Sequence, residues 1–177
     1  MDAEFTRDAL FTAGWFGLMT MVWLGWAQED PPKAGRFWLG AGSVAGTLVA
    51  VGFGVAVATH WDAPTALEGR YGWFGLLVAV QVVAAGLGCL VLARRGRSRW
   101  MAWWVALVVA VHFLPLAWLL RFGLVGVVGV VEAAALLLLV PHLRGSTRPT
   151  SATVGPVMGC SLLIAALACG IPALPSR

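Results

Sequence analysis

Charged residues divide this chain into long apolar stretches. Six stretches, 9–28, 37–59, 71–93, 100–120, 122–140 and 152–173, each hold between 19 and 23 residues. About 20 residues at about 1.5 Å each cross about 30 Å of hydrocarbon, so every stretch has the length of a membrane span. Backbone N–H and C=O groups find no water inside lipid and must bond within their own segment. Continuous apolar runs of this length therefore predict helices. Only the fifth run carries a charged residue, Glu132.

The breaks between runs are chemically plain. Glu29-Asp30-Pro31-Pro32-Lys33 ends the first and His60-Trp61-Asp62-Ala63-Pro64 ends the second. Arg94-Arg95-Gly96-Arg97-Ser98-Arg99 separates the third from the fourth. Arg121 alone marks a turn before the fifth, and Pro141 through Thr150, with Gly145 and Pro149, precedes the sixth. Proline and glycine stop helices, and short links make sequential helices antiparallel neighbours. The expected fold is an all-α integral membrane protein: a six-transmembrane-helix bundle with short loops, in one polytopic domain over 1–177.

Two features suggest how the helices are arranged. Gly14-Trp15-Phe16-Gly17-Leu18 recurs as Gly72-Trp73-Phe74-Gly75-Leu76, and Phe122-Gly123-Leu124 opens the fifth run, which suggests three tandem helix hairpins. Small residues also align on single helix faces: Ser43, Gly46, Thr47, Ala50 and Gly54 in the second run; Gly126, Gly129 and Ala133 in the fifth; Gly155, Gly159, Ala166 and Gly170 in the sixth. Such faces let backbones approach closely where lipid supplies no hydrophobic drive between helices. They fit packing within one bundle or against a homo-oligomer or membrane protein partner.

Composition strengthens the membrane reading. Hydrophobic residues make up 60% of the chain and charged residues 11%, and the mean hydropathy is +0.86. A soluble fold of this size has too few charges here to cover its apolar surface. Arg outnumbers Lys eleven to one, and Ala, Val, Gly and Leu dominate, a bias that suggests a bacterial source. The net charge of +4 does not point to nucleic acid, because the cations flank apolar spans and no aromatic stacking platform accompanies them. Cys89, Cys160 and Cys169 lie inside apolar runs without a C-x-x-C pair, so neither a metal site nor a redox dithiol is expected, and no cofactor is implied.

Charge placement gives an orientation. Lys33, Arg36, Arg94, Arg95, Arg97, Arg99, Arg144 and Arg148 fall in the first, third and fifth links, against Arg7, Arg70, Arg121 and Arg177 on the opposite side. The positive-inside rule expects the richer set in the cytoplasm of a bacterial inner membrane, with both termini outside. Arg94, Arg95, Arg97 and Arg99 are the main topology determinants, with a contact to anionic lipid as the other use of that loop. Asp2, Glu4, Arg7 and Asp8 make the segment before the first run net acidic, so that run reads as a retained helix, not a secretory signal. Trp26, Trp38, Trp100, Trp103 and Trp104 at one interface and Trp61, Trp73 and Trp118 at the other form the expected aromatic belts.

Candidate chemistry is confined to three polar side chains deep in spans: Gln81, His112 and Glu132. Each lies about nine or ten residues from the outer end of its helix, so all share a level near the bilayer centre. The tight turn at Arg121 makes the helices of His112 and Glu132 antiparallel neighbours, and the two side chains are expected at matching height. A carboxylate in lipid costs several kcal/mol unless paired or hydrated. Burial and a facing imidazolium act on its charge in opposite senses, a balance suited to a proton relay. Pro115, three residues after His112, removes the amide bond to the Val111 carbonyl and predicts a kink that frees a polar group near the same level. Structural glue between helices is the competing role for such a cluster.

No nucleophile elbow, zinc-protease or phosphate-loop signature occurs. Ser161 and Cys160 share the approximate depth of His112 without any spacing that selects them, so an embedded enzyme is not expected. Two functions fit. The first is movement of a small solute or proton, with His112 and Glu132 handling protons and Gln81 orienting them. The second is a non-transporting membrane subunit or scaffold that binds a protein partner or lipid.

Overall fold

The computed structural model describes residues 4–31 and 33–174; Asp2, Pro32 and Arg177, which entered the sequence expectations, lie outside the described residues. Six long helices account for the fold: α1 (Thr6–Trp26), α2 (Arg36–Thr59), α3 (Tyr71–Arg94), α4 (Met101–Leu119), α5 (Gly123–Gly145) and α6 (Ser151–Ala173). All six are long and apolar enough to cross a membrane. Short 3-10 turns, Ala27–Glu29, Lys33–Gly35 and Ser98–Trp100, lie in the links, and no strand occurs among the described residues.

The two tightest links are built alike. After α3, the Arg97 amide donates to the Leu92 carbonyl at 2.8 Å and the Gly96 amide to Ala93 at 3.0 Å. After α4, the Phe122 amide donates to Ala117 at 3.0 Å and the Arg121 amide to Trp118 at 3.3 Å. Both are Schellman closures, which need one residue in the left-handed region. Gly96 supplies it at φ 66° without steric cost, whereas Arg121 adopts φ 51° despite its Cβ. The Arg121 guanidinium also pairs with Glu4 at 3.2 Å, which ties the turn to the start of α1.

Two element boundaries differ from the sequence expectation. Helix α1 starts at Thr6, ahead of position 9. The added turn carries Asp8, whose carboxylate accepts from the Thr65 hydroxyl at 2.7 Å and the Ala66 amide at 2.8 Å. Those bonds offset the burial of a charge at the helix start. Helix α5 does not stop at Pro141 but continues to Gly145. Proline removes one helical bond, but carbonyls at this end find a donor elsewhere. The Arg99 guanidinium donates to Leu143 at 2.9 Å and also to the Ser146 carbonyl, while Leu143 is buried in the core. A cation at a helix C-terminus also opposes the helix dipole.

Packing is unequal around the bundle. Helix α1 lies between α2 and α6, and α4 lies between α3 and α5, with α6 joining the two groups. Phe16 of α1, Phe113 of α4, Val125 and Leu136 of α5, and Met158 and Leu162 of α6 share one core. The small-residue faces do the close packing. A Cβ at Gly17 would lie 2.7 Å from the Ala50 nitrogen, and one at Gly46 would lie 2.7 Å from the Gly17 carbonyl. Similarly, Gly155 meets the Trp23 carbonyl at 2.6 Å and Gly159 meets Leu24 at 2.6 Å. By contrast, no residue of α3 is buried.

The repeated string occupies different surroundings in its three copies. Phe16 is buried and Gly17 touches the α2 backbone, whereas Phe74 is half-buried and neither Gly75 nor Gly123 has a neighbour within 4 Å of an added Cβ. The three copies of the string are therefore packed differently from one another.

Candidate functional site

The α4–α5 interface sets the position of both central ionisable residues. A Cβ at Gly129 would lie 2.6 Å from the Ala110 carbonyl and 2.8 Å from Phe113, and one at Gly126 would lie 3.1 Å from Ala117. The Trp103 indole donates to the Leu136 carbonyl at 3.0 Å. This antiparallel register places His112 and Glu132 within about one helical turn in height.

The register also fixes which way His112 points. Ala110 and Ala117 line the face of α4 that meets α5. Phe113 lies on that face too, and at about 100° per residue His112 stands about 100° from Phe113 and about 160° from Ala110, so it projects from a flank of α4 turned away from α5. Its ring is 9% exposed and packs 6.3 Å from the Phe113 ring. No hydrogen bond joins His112 to Glu132, and the His112 Nδ1 atom has no partner among the described residues.

Glu132 instead meets α6. It is 1% exposed, and its Oε1 atom accepts from the Ser161 hydroxyl at 2.5 Å. The Ser161 hydroxyl also lies 2.9 Å from the Met158 carbonyl. The second carboxyl oxygen, Oε2, is buried and unpartnered among the described residues. One hydroxyl has a single proton to donate, so the Met158 carbonyl and the Glu132 carboxyl compete for it. Buried polar atoms in native folds are nearly always satisfied, which makes this the most unusual polar cluster inside the spans.

The remaining expected residues lie apart from it. Gln81 is half-exposed on α3, a helix that packs chiefly on α4, and it forms no hydrogen bond with His112 or Glu132. Helix α4 runs as one helix through Pro115, so the Val111 carbonyl loses its helical donor without the helix ending. Arg94 closes α3, and Arg95 and Arg97 are exposed. Arg99 is folded back onto α5 and sits 5.2 Å from the Trp100 ring. Trp103 and Trp104, expected in a belt, pin helices: Trp103 donates to the Leu136 carbonyl of α5 and Trp104 to the Ala84 carbonyl of α3 at 3.1 Å. Cys89, Cys160 and Cys169 are all free thiols. Among the described residues no group of three His, Cys, Asp or Glu side chains is placed to hold a metal ion.

Two polar residues acquire roles that sequence reasoning did not assign. The sequence places Ser161, with Cys160, only at the approximate depth of His112 and gives no spacing that selects it. Its selection depends on the rotation of α5 and α6, which no local signal encodes. Asp8 reads locally as part of an acidic terminus, while its partners Thr65 and Ala66 lie 57 and 58 residues away. Comparison with known proteins finds no matching family model, no matching curated protein and no matching solved structure.

Proposed function

We propose that this chain is a multi-pass protein of a bacterial inner membrane, with its arginine-rich links cytoplasmic and both termini outside, and that it moves a proton or small solute by way of Glu132. The observation that carries this reading is the Glu132–Ser161–Met158 arrangement: a carboxyl 1% exposed, a hydroxyl shared between two acceptors, and a second carboxyl oxygen without a partner.

Donor counting gives the mechanism. With a proton on Glu132, the carboxyl donates to Ser161 and Ser161 donates to Met158. When that proton passes from Oε2, the unpartnered oxygen, to a water molecule or a solute base entering beside it, Ser161 turns its own toward the carboxylate. One chain thus has two bonded arrangements that differ by a single proton, and an ionisable residue inside a membrane marks an ion or proton pathway by default. His112, buried on the other flank of α4, is a second proton-accepting station in this scheme.

The test is proton flux in vesicles holding the purified full chain, with a pH-sensitive dye inside and an imposed pH gradient. The wild type should dissipate the gradient faster than empty vesicles. Glu132→Gln should bring it down to the rate of empty vesicles, because a positioned proton-transfer group contributes on the order of 100-fold or more to the protein's own flux. Ser161→Ala should slow it by about tenfold, the scale of one charge-assisted hydrogen bond. Wild-type flux equal to that of empty vesicles would remove the transport reading.

The exposed α3 favours a second reading. With no buried residue and contacts chiefly to α4, it leaves wide apolar faces for lipid or a partner subunit. Unchanged flux in Glu132→Gln together with altered assembly would support that scaffold role.

A further inference from the structure

We infer that the arginine-rich end of the bundle holds an anionic phospholipid in the cleft between α3, α4 and α5. The inference is independent of what Glu132 does.

The cleft follows from the packing of α3. The Trp104 indole lies against Gly88, where any Cβ would overlap it, and bonds to the Ala84 carbonyl. That wedge holds the C-terminal half of α3 to the first turn of α4, and α3 makes no comparable contact with α5. The space left toward the arginine end is a cleft of about 980 Å³. Ala84, Leu87 and Val91 form its wall on α3, Trp103 and Trp104 its wall on α4, and Val140 its wall on α5. Ala84, Leu87 and Val91 are spaced three and four apart and so share one helix face.

Length and charge both select the occupant. From Ala84 to Leu92 the α3 wall of the groove runs eight residues, roughly 12 Å, most of the hydrocarbon depth of one leaflet. An acyl chain fits an apolar slot of that depth. At the mouth stand Arg97, Arg99 and Arg144, with no acidic residue in the lining. Arg99 is held by the α5 carbonyls, but neither Arg97 nor Arg144 forms an ion pair with a carboxylate among the described residues. Both are exposed. Unpaired guanidinium groups above an apolar slot, with Trp100 at the same rim, complement a phosphate headgroup on a lipid tail. Guanidinium suits phosphate geometry, and basic pockets between spanning helices favour anionic headgroups.

The experiment uses the full chain in nanodiscs of phosphatidylcholine containing one part in five phosphatidylglycerol. The bound lipid is counted by native mass spectrometry after release into detergent. The expected result is a retained phosphatidylglycerol favoured over phosphatidylcholine. Arg97→Gln with Arg144→Gln should reduce that preference by about tenfold or more, since each basic side chain near a headgroup contributes substantially. The Lys counterparts, which keep both charges, should retain most of it. An unchanged melting temperature in pure phosphatidylcholine separates lost binding from lost folding. Equal retention of the two lipids by the wild type would overturn the inference. So would an undiminished preference in the double glutamine variant, or a stable dimer occupying the cleft in place of lipid.

Discussion

Gly17 and Gly75 occupy equivalent places in the same pentapeptide yet carry opposite structural demands. A Cβ on Gly17 would press 2.7 Å from the Ala50 nitrogen, whereas one on Gly75 would meet nothing within 4 Å. Gly17→Ala should therefore destabilise the bundle by about 1–3 kcal/mol, the usual cost of overpacking, while Gly75→Ala should be neutral or slightly stabilising. Thermal unfolding of the two variants in one detergent checks this. A second residue-level case is Asp8, which accepts two hydrogen bonds from the α2–α3 link. Asp8→Ala removes both acceptors and leaves the Ala66 amide without its partner, at an expected cost of about 1–3 kcal/mol. Faster hydrogen exchange over 60–70 is the matching readout. The small-residue faces were legible in the sequence because glycine spacing encodes close approach. Asp8 was not, because its burial comes from a link folded back from far along the chain.

At the scale of elements, apolar run length was sufficient to place all six helices. The ends escaped it wherever a distant side chain supplied the cap. Helix α5 passes Pro141 at the loss of one bond, to the Leu137 carbonyl, and its end beyond the proline is held by Arg99, which donates to the carbonyls of Leu143 and Ser146; no rule about proline spacing contains that arginine. The α4–α5 turn shows the same limit: a lone Arg121 was readable as a turn, but its left-handed φ of 51° was not. Arg121→Gly should keep the turn with little change in stability, because relief of left-handed strain offsets a surface ion pair worth about 0–1 kcal/mol. Arg121→Val should cost about 1–3 kcal/mol, because a β-branched residue tolerates that region poorly. Comparing the unfolding midpoints of both variants with the wild type decides the matter.

For the whole molecule, depth and direction turn out to be separate kinds of information. Counting residues from helix ends placed His112 and Glu132 at a common level, as the register through Gly126 and Gly129 also does. Direction depends on how each helix is rotated by its glycine contacts. That rotation turns Glu132 toward Ser161 and leaves His112 on the other flank of α4. The uniformly apolar faces of these helices hold too little polar contrast to announce such rotation in advance. The resulting molecule has a tight α1–α2–α6 group, an α4–α5 pair carrying the buried carboxyl, and a loosely held α3 that opens the lipid-sized cleft.

Proton flux in one batch of vesicles, with wild type, His112→Gln and Glu132→Gln side by side, tests the central claim most directly. The account predicts that wild type is fastest, His112→Gln is intermediate, and Glu132→Gln falls to the rate of empty vesicles while retaining the wild-type melting temperature. Equal rates for wild type and folded Glu132→Gln would contradict it.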